Sequence, residues 1–150
     1  MKKWFKFALL GLIMFALVAC QSAEETTTTL VFDEGGFYNE IIIIAEGDNV
    51  IEQASKTETT YEVLGVSTKE EAEEMLAEFM VGYDTTEGVT QEIDYQDDRI
   101  VETVTVDYET VDINEMSELA GSFVEGDPSQ GVSLKMTVEM MEEMGYKIVD

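Results

Sequence analysis

Four consecutive isoleucines, Ile41 to Ile44, do most to narrow what this chain can fold into. β-Branched side chains are stiff at χ1 and pack well on a pleated surface, so the run predicts a strand over Tyr38–Ala45. Because no polar residue interrupts it, the run also predicts a strand buried on both faces. Turn signals bracket it, with Asp33-Glu34-Gly35-Gly36 before and Glu46-Gly47-Asp48-Asn49 after. Leu30-Val31-Phe32 precede the first turn, with Thr27–Leu30 opening that strand. Val50–Val63 alternates after the second turn: Thr57, Thr59, Tyr61 and Val63 share one face, and Glu58, Thr60 and Glu62 the other. The same period of two recurs in Val89, Gln91, Ile93 and Tyr95. A Gln96-Asp97-Asp98 turn then leads into Ile100–Tyr108, and Tyr146–Val149 reads as a closing strand.

Between these strands the period changes to that of a helix. Ser67 with Glu70 and Thr68 with Glu71 both make capping boxes, after which Ala72, Met75, Leu76, Phe79 and Met80 fall on one face and Gly82 stops the helix. Asp112 with Glu115 repeats the box ahead of Ile113, Met116 and Leu119. Gly121–Gly131 reads as a loop holding the only proline, Pro128. Ser133–Met144 reads as a third helix with Leu134, Val138 and Met141 inward, ended by Gly145. About six strands and two to three packed helices without strict βαβ alternation predict an α+β domain on a mainly antiparallel sheet. A faint repeat relates Gly47–Gln53 to Asp97–Thr103, each followed by a Tyr-Glu pair (Tyr61-Glu62, Tyr108-Glu109) and a box-capped helix.

Composition excludes much of the remaining chemistry. The chain has 150 residues and no histidine, which removes imidazole acid–base catalysis, His-based triads and His-ligated zinc. Its 33 acidic residues against 8 basic ones argue against a nucleic-acid partner, since phosphate binding needs Lys and Arg. The hydrophobic fraction of 45% is that of a globular domain rather than a disordered one.

The N-terminus carries an address. Lys2, Lys3 and Lys6 precede 13 uncharged residues, Phe7 to Ala19, which as a helix span only ~20 Å and so fall short of a ~30 Å bilayer core. A basic segment followed by a short apolar run is the pattern of a secretory signal peptide. Leu17-Val18-Ala19-Cys20, followed at once by Gln21-Ser22-Ala23-Glu24-Glu25, resembles the lipobox of bacterial lipoproteins. That resemblance implies residues 1–19 as a signal peptide. Cys20 would be the first mature residue, carrying a diacylglyceryl group and an N-acyl chain such as palmitate. Two or more acyl chains suffice for stable membrane attachment. Residues 20–29 then form the lipidated cysteine and a polar, Thr-rich tether, and residues 30–150 a single extracytoplasmic domain. With the leader removed, 5 basic residues face 33 acidic ones, a formal charge of −28, and no cysteine beyond Cys20 remains to form an intramolecular disulfide.

The chain also resembles a family of small bacterial lipoproteins similar to YehR. The resemblance covers most of the chain and rests on the lipobox cysteine, the Leu64-Gly65-Val66-Ser67-Thr68-Lys69-Glu70-Glu71-Ala72 helix entry and the Ile100–Tyr108 strand. It also rests on the Gly126-Asp127-Pro128-Ser129 loop, the Val132-Ser133-Leu134-Lys135 helix start and the Gly145-Tyr146 ending. It implies a lipid-anchored α+β domain with no catalytic residues to carry over. The chain departs from the family in charge: its members tend to be lysine-rich where this sequence is acidic.

Three chemistries deserve a place beside that reading. Asp94, Asp97 and Asp98 crowd one turn, with Asp48 in a comparable one, but there is no 12-residue calcium loop with its glycine turn and closing glutamate. Met136, Met140 and Met144 recur every fourth residue beside Met141; thioethers suit Cu(I), and they equally suit an irregular core. Convergence of three thioethers at the surface would favour copper. Paired carboxylates could serve a hydrolase, with Tyr38, Tyr61 and Tyr83 as sugar platforms, although Trp4 leaves with the leader. The expectation is a non-catalytic binding or adaptor module without a cofactor beyond its lipid. It would sit on the membrane's extracytoplasmic face, or on the outer membrane of a two-membrane cell, and serve an envelope protein or small ligand. A calcium- or copper-handling lipoprotein and a carboxylate hydrolase are the alternatives.

Overall fold

The computed structural model describes residues 24–79, 85–116 and 131–149, and everything below concerns those residues. Signal peptide, Cys20, the helix stop at Gly82, Leu119 and the Pro128 loop lie outside them. In chain order the elements are β1 (Glu25–Glu34), β2 (Phe37–Glu46), β3 (Asn49–Thr60), α1 (Tyr61–Leu64), α2 (Lys69–Phe79), β4 (Val89–Tyr95), β5 (Arg99–Asp107), α3 (Ile113–Met116), α4 (Leu134–Glu143) and β6 (Lys147–Val149). The six strands form one sheet in the order β4-β5-β3-β2-β1-β6, and every pairing is antiparallel. The α+β expectation holds. β1 begins at Glu25, so Glu25–Thr29 belong to the sheet and not to the tether, because Thr27 to Thr29 find Ile44 to Ile42 as partners.

The isoleucine run corrects one expectation. Leu30, Ile41, Ile43, Ala45 and Val50 point to one face and are buried there with Val132 and Met141. Ile42 and Ile44 point to the other face and stay half-exposed, so β2 is buried on one side only. The four helices supply the covering layer on the first face. A bulge in β3 pairs Ile44 with Glu52 and Ala45 with Val50, leaving Ile51 unpaired and turning Val50 into the core.

Two smaller clusters flank this core. Tyr61, Ala72, Leu76 and Ile100 join α1 and α2 to the sheet, and Val106, Val111 and Met116 seat α3. Tyr61 was expected to extend the β3 alternation; the strand instead ends at Thr60, and a single helical turn closes on Gly65, which takes a φ of 75°. Buried Tyr61 donates its hydroxyl to the Gln96 carbonyl at 2.6 Å. The box on α2 is partly as expected: the Glu71 amide donates to Thr68 Oγ1 at 3.2 Å, while the Glu71 carboxylate accepts from the Ser67 amide at 2.8 Å.

The repeat seen in sequence corresponds to two hairpins, β2–β3 and β4–β5, which meet antiparallel through β3 and β5. Each hairpin donates the first amide after its second strand to the opening of the other. Tyr61 N–H reaches Asp98 O and Tyr108 N–H reaches Ile51 O, both at 2.9 Å.

A long-range lock fixes α4. Ser133 caps it by accepting from the Met136 amide, and the turn between β2 and β3 holds Ser133 in place. Asp48 accepts from the Ser133 hydroxyl at 2.8 Å and from the Lys135 amide at 2.9 Å, and its own carbonyl accepts from Leu134 N–H. The Lys135 amide first, then the Ser133 hydroxyl, hold the Asp48 carboxyl below its usual range. Gly131 must be glycine for this approach: its φ is 77°, and a Cβ there would sit 2.5 Å from Asn49 Oδ1.

Candidate functional site

The helix-bearing face is not uniformly apolar. Cross-strand register places Phe32, Asn39, Thr57 and Glu102 in one row, with Ser55 and then Gln53 in the next two rows to one side. Asn39 is buried and satisfied: its amide donates to Thr57 Oγ1 at 2.8 Å and its carbonyl accepts from the Tyr146 hydroxyl at 2.9 Å. Gln91 donates to Glu102 at 2.6 Å. These groups tie the C-terminal segment to the sheet, and among the described residues no buried polar side-chain atom lacks a partner. Tyr108 packs between two of the apolar clusters, where burial pushes its phenol up to about 12.

The aspartates singled out in sequence are occupied by local structure. Asp98 binds Arg99 through both carboxylate oxygens at 3.0 Å, which lowers its pKa, and Asp94 accepts from Gln96 at 2.9 Å. Asp97 is exposed on the same turn. Asp48 serves α4. Among the described residues no three acidic or thiol side chains are placed to share a metal ion. The methionines differ in burial: Met141 is in the core, Met140 packs against it, and Met136 and Met144 are 45% and 40% exposed. Of the tyrosines considered as sugar platforms, Tyr61 is buried, Tyr83 lies outside the described residues, and Tyr38 stands on the uncovered side of the sheet.

On that uncovered side the register builds something a single strand does not show. Val149, Thr29, Ile42, Ala54, Thr105 and Thr90 lie opposite one another in sequence of strands, making one uncharged, methyl-bearing row across all six. Rows on either side are charged. One holds Glu40, Lys56 and Glu92; the other continues from Ile44 into Glu52 and Asp107. Tyr38 donates to Glu40 at 3.0 Å, an acceptor that raises the phenol's pKa. Lys56 at 2.7 Å and then Arg99 at 3.3 Å hold Glu58 below the usual carboxylate range. Every described carboxylate with a displaced pKa is displaced downward, Asp112 included through the Asn114 amide. A general acid at neutral pH needs the opposite shift.

Residues 26–147 match the model of the family described as "Protein of unknown function (DUF1307)". The chain belongs to that family. Within DUF1307, the chain is similar to the Uncharacterized lipoprotein Lmo0207 of Listeria monocytogenes, with 35% identity over 89% of this chain and 86% of that protein. It is also similar to the Uncharacterized lipoprotein YehR of Escherichia coli, with 28% identity over 98% of this chain and 96% of YehR. The NMR structure of E. coli YehR superposes with a TM-score of 0.72 at 27% identity, covering 85% of this chain and 92% of that one. The resemblance to YehR-like lipoproteins is therefore confirmed. The DUF1307 sheet supplies a covered face of structural contacts and an open face bearing a neutral stripe. Sequence reading missed the stripe because its members come from six strands. No described helix is long and apolar enough to cross a membrane.

Proposed function

We propose that the chain is a lipoprotein held through Cys20 at the extracytoplasmic face of the membrane, and that its DUF1307 domain is a non-catalytic binding or adaptor module. Similarity to Lmo0207 and, over 98% of the chain, to YehR, both named as lipoproteins, supports the anchoring. A leader that ends in Leu17-Val18-Ala19 is followed at once by Cys20, which supplies the acceptor thiol. The observation that carries the binding role is the open sheet face. It presents partly exposed Ile42, Ile44, Ala54 and Val101 in ordered rows, while Asp48, Glu58, Asp98 and Asp112 are held below the usual carboxylate range by their partners.

Metabolic labelling with palmitate tests the anchor. The wild-type chain should incorporate label and sediment with membranes, and Cys20→Ser should do neither; labelled Cys20→Ser would overturn it. For the binding role, photo-crosslinking residues are placed in the full-length chain at Thr105 on the open face and at Glu74 on α2. A discrete adduct from Thr105 and none from Glu74 is the expected result. Adducts from neither position, or turnover of hydrolase substrates by the purified chain, would overturn the reading.

A further inference from the structure

We propose that the open face is a docking surface for a cationic polypeptide segment carrying aliphatic side chains, an inference that rests on the binding-module reading and names its partner. The stripe Val149–Thr29–Ile42–Ala54–Thr105–Thr90 is uncharged from edge to edge, with Thr29, Ile42, Ala54 and Thr105 half-exposed and Val149 43% exposed. An antiparallel sheet tolerates one solvated face, but such a face is ordinarily written with polar residues alone. Here Ile44 and Val31 stand beside the stripe as well. Six strands at ~4.8 Å make it ~24 Å long, the span of about seven extended residues.

Charge decides between occupants. Beyond the leader the chain has five basic residues, Lys56, Lys69, Arg99, Lys135 and Lys147, all of them among the described residues. Four already pair within the chain: Lys56 with Glu58, Lys69 with Glu73, Arg99 with Asp98 and Glu58, and Lys135 with Glu139. On the open face the register sets Glu52 opposite Asp107, whose carboxylate accepts from the Glu109 amide and the Thr110 hydroxyl, and Glu25 opposite Glu46, so acidic residues border the stripe at this end. Asp33, Glu40, Glu92 and Asp94 add to the rim. A second copy of a chain at −28 is repelled from this face, and so is an anionic bilayer. A segment with aliphatic side chains over the stripe and Lys or Arg at its ends matches both the row and its borders.

The test uses the full-length chain in zwitterionic micelles and a fluorescent nonapeptide: three valines alternating with two serines, and two lysines at each end. Binding is read by anisotropy, and its location by backbone amide shifts. Binding is expected to shift amides of Thr29, Ile42, Ala54 and Thr105 and to weaken about tenfold in Glu40→Lys/Glu92→Lys. The charge-matched Glu70→Lys/Glu74→Lys on α2 should weaken it about twofold or less. Ile42→Ser/Ile44→Ser, checked for folding by its amide spectrum, should also weaken it about tenfold. Equal loss from both charge pairs would show a diffuse polyanion effect and overturn the proposal. Unchanged affinity in the isoleucine variant, self-association covering the stripe, or displacement of the peptide by equimolar calcium would overturn it too. A neutral or acidic partner crosslinked at Thr105 would overturn the cationic assignment while leaving the binding-module reading in place.

Discussion

The two faces of the sheet share six backbones yet answer to different constraints. On the helix side, Leu30, Ile43 and Val50 are fully enclosed, and the polar groups that enter, Asn39 and Thr57, are bonded to each other or to Tyr146. On the open side the same strands carry acidic residues and a methyl-bearing row that nothing described covers. The contrast teaches that the enclosed face is shaped by packing, whereas the open face is shaped by something other than packing within the chain. A surface under no constraint but solubility would not need isoleucine opposite alanine at its centre.

The largest effect that tests this contrast comes from adjacent isoleucines. Ile43→Ala opens a cavity in the enclosed cluster and should cost ~2–5 kcal/mol, whereas Ile44→Ala one residue away should cost less than about 1.5 kcal/mol, both by urea denaturation. Equal losses would mean that the open face is covered in solution. Next, Tyr146→Phe removes the hydroxyl that satisfies buried Asn39 and should cost about 1–3 kcal/mol, measured the same way.

Acidity probes the α4 lock. The folded pKa of Asp48 lies below its ordinary value of 3.8, so its contribution is complete above that value and disappears as pH falls through the folded pKa. Wild type should therefore lose stability on acidification below about pH 4, and Asp48→Asn should lose less over the same interval because it lacks that contribution. A wild-type and variant difference that stays constant from pH 7 to pH 2.5 would show that Asp48 makes no ionised contact. The smallest effect belongs to the open face: Lys56→Gln breaks an exposed pair with Glu58 and should leave the urea midpoint nearly unchanged, with any difference shrinking further in high salt.

The legible part of this molecule was whatever depends on neighbours in sequence. β4 occupies Val89–Tyr95 as alternation predicts, and Ser133, Thr68 and Asp112 mark helix starts because capping uses residues two or three positions apart. Burial of Ile42 and Ile44 was misjudged for a definite reason: an apolar run fixes a strand but does not say whether a second layer exists. The end of β3 was misjudged because Tyr61 keeps the alternating pattern while its buried ring and hydroxyl bond serve a helical turn. The Asp48 lock and the stripe were invisible, since one joins residues 85 positions apart and the other needs the register of five strand pairs.

The pairing of β6 with β1 bears on the order in which the chain can assemble. Val149 lies opposite Thr29, so among the described strands the sixth closes onto the first. Both hairpins and α2 can form from contacts close in sequence, but this edge of β1 stays open until β6 has been synthesised. Until then Leu30 has a neighbour on one side only, and Tyr146 cannot reach Asn39. β6 thus completes the described sheet. A nascent or C-terminally clipped chain would present an unpaired strand edge of the kind that other chains readily join.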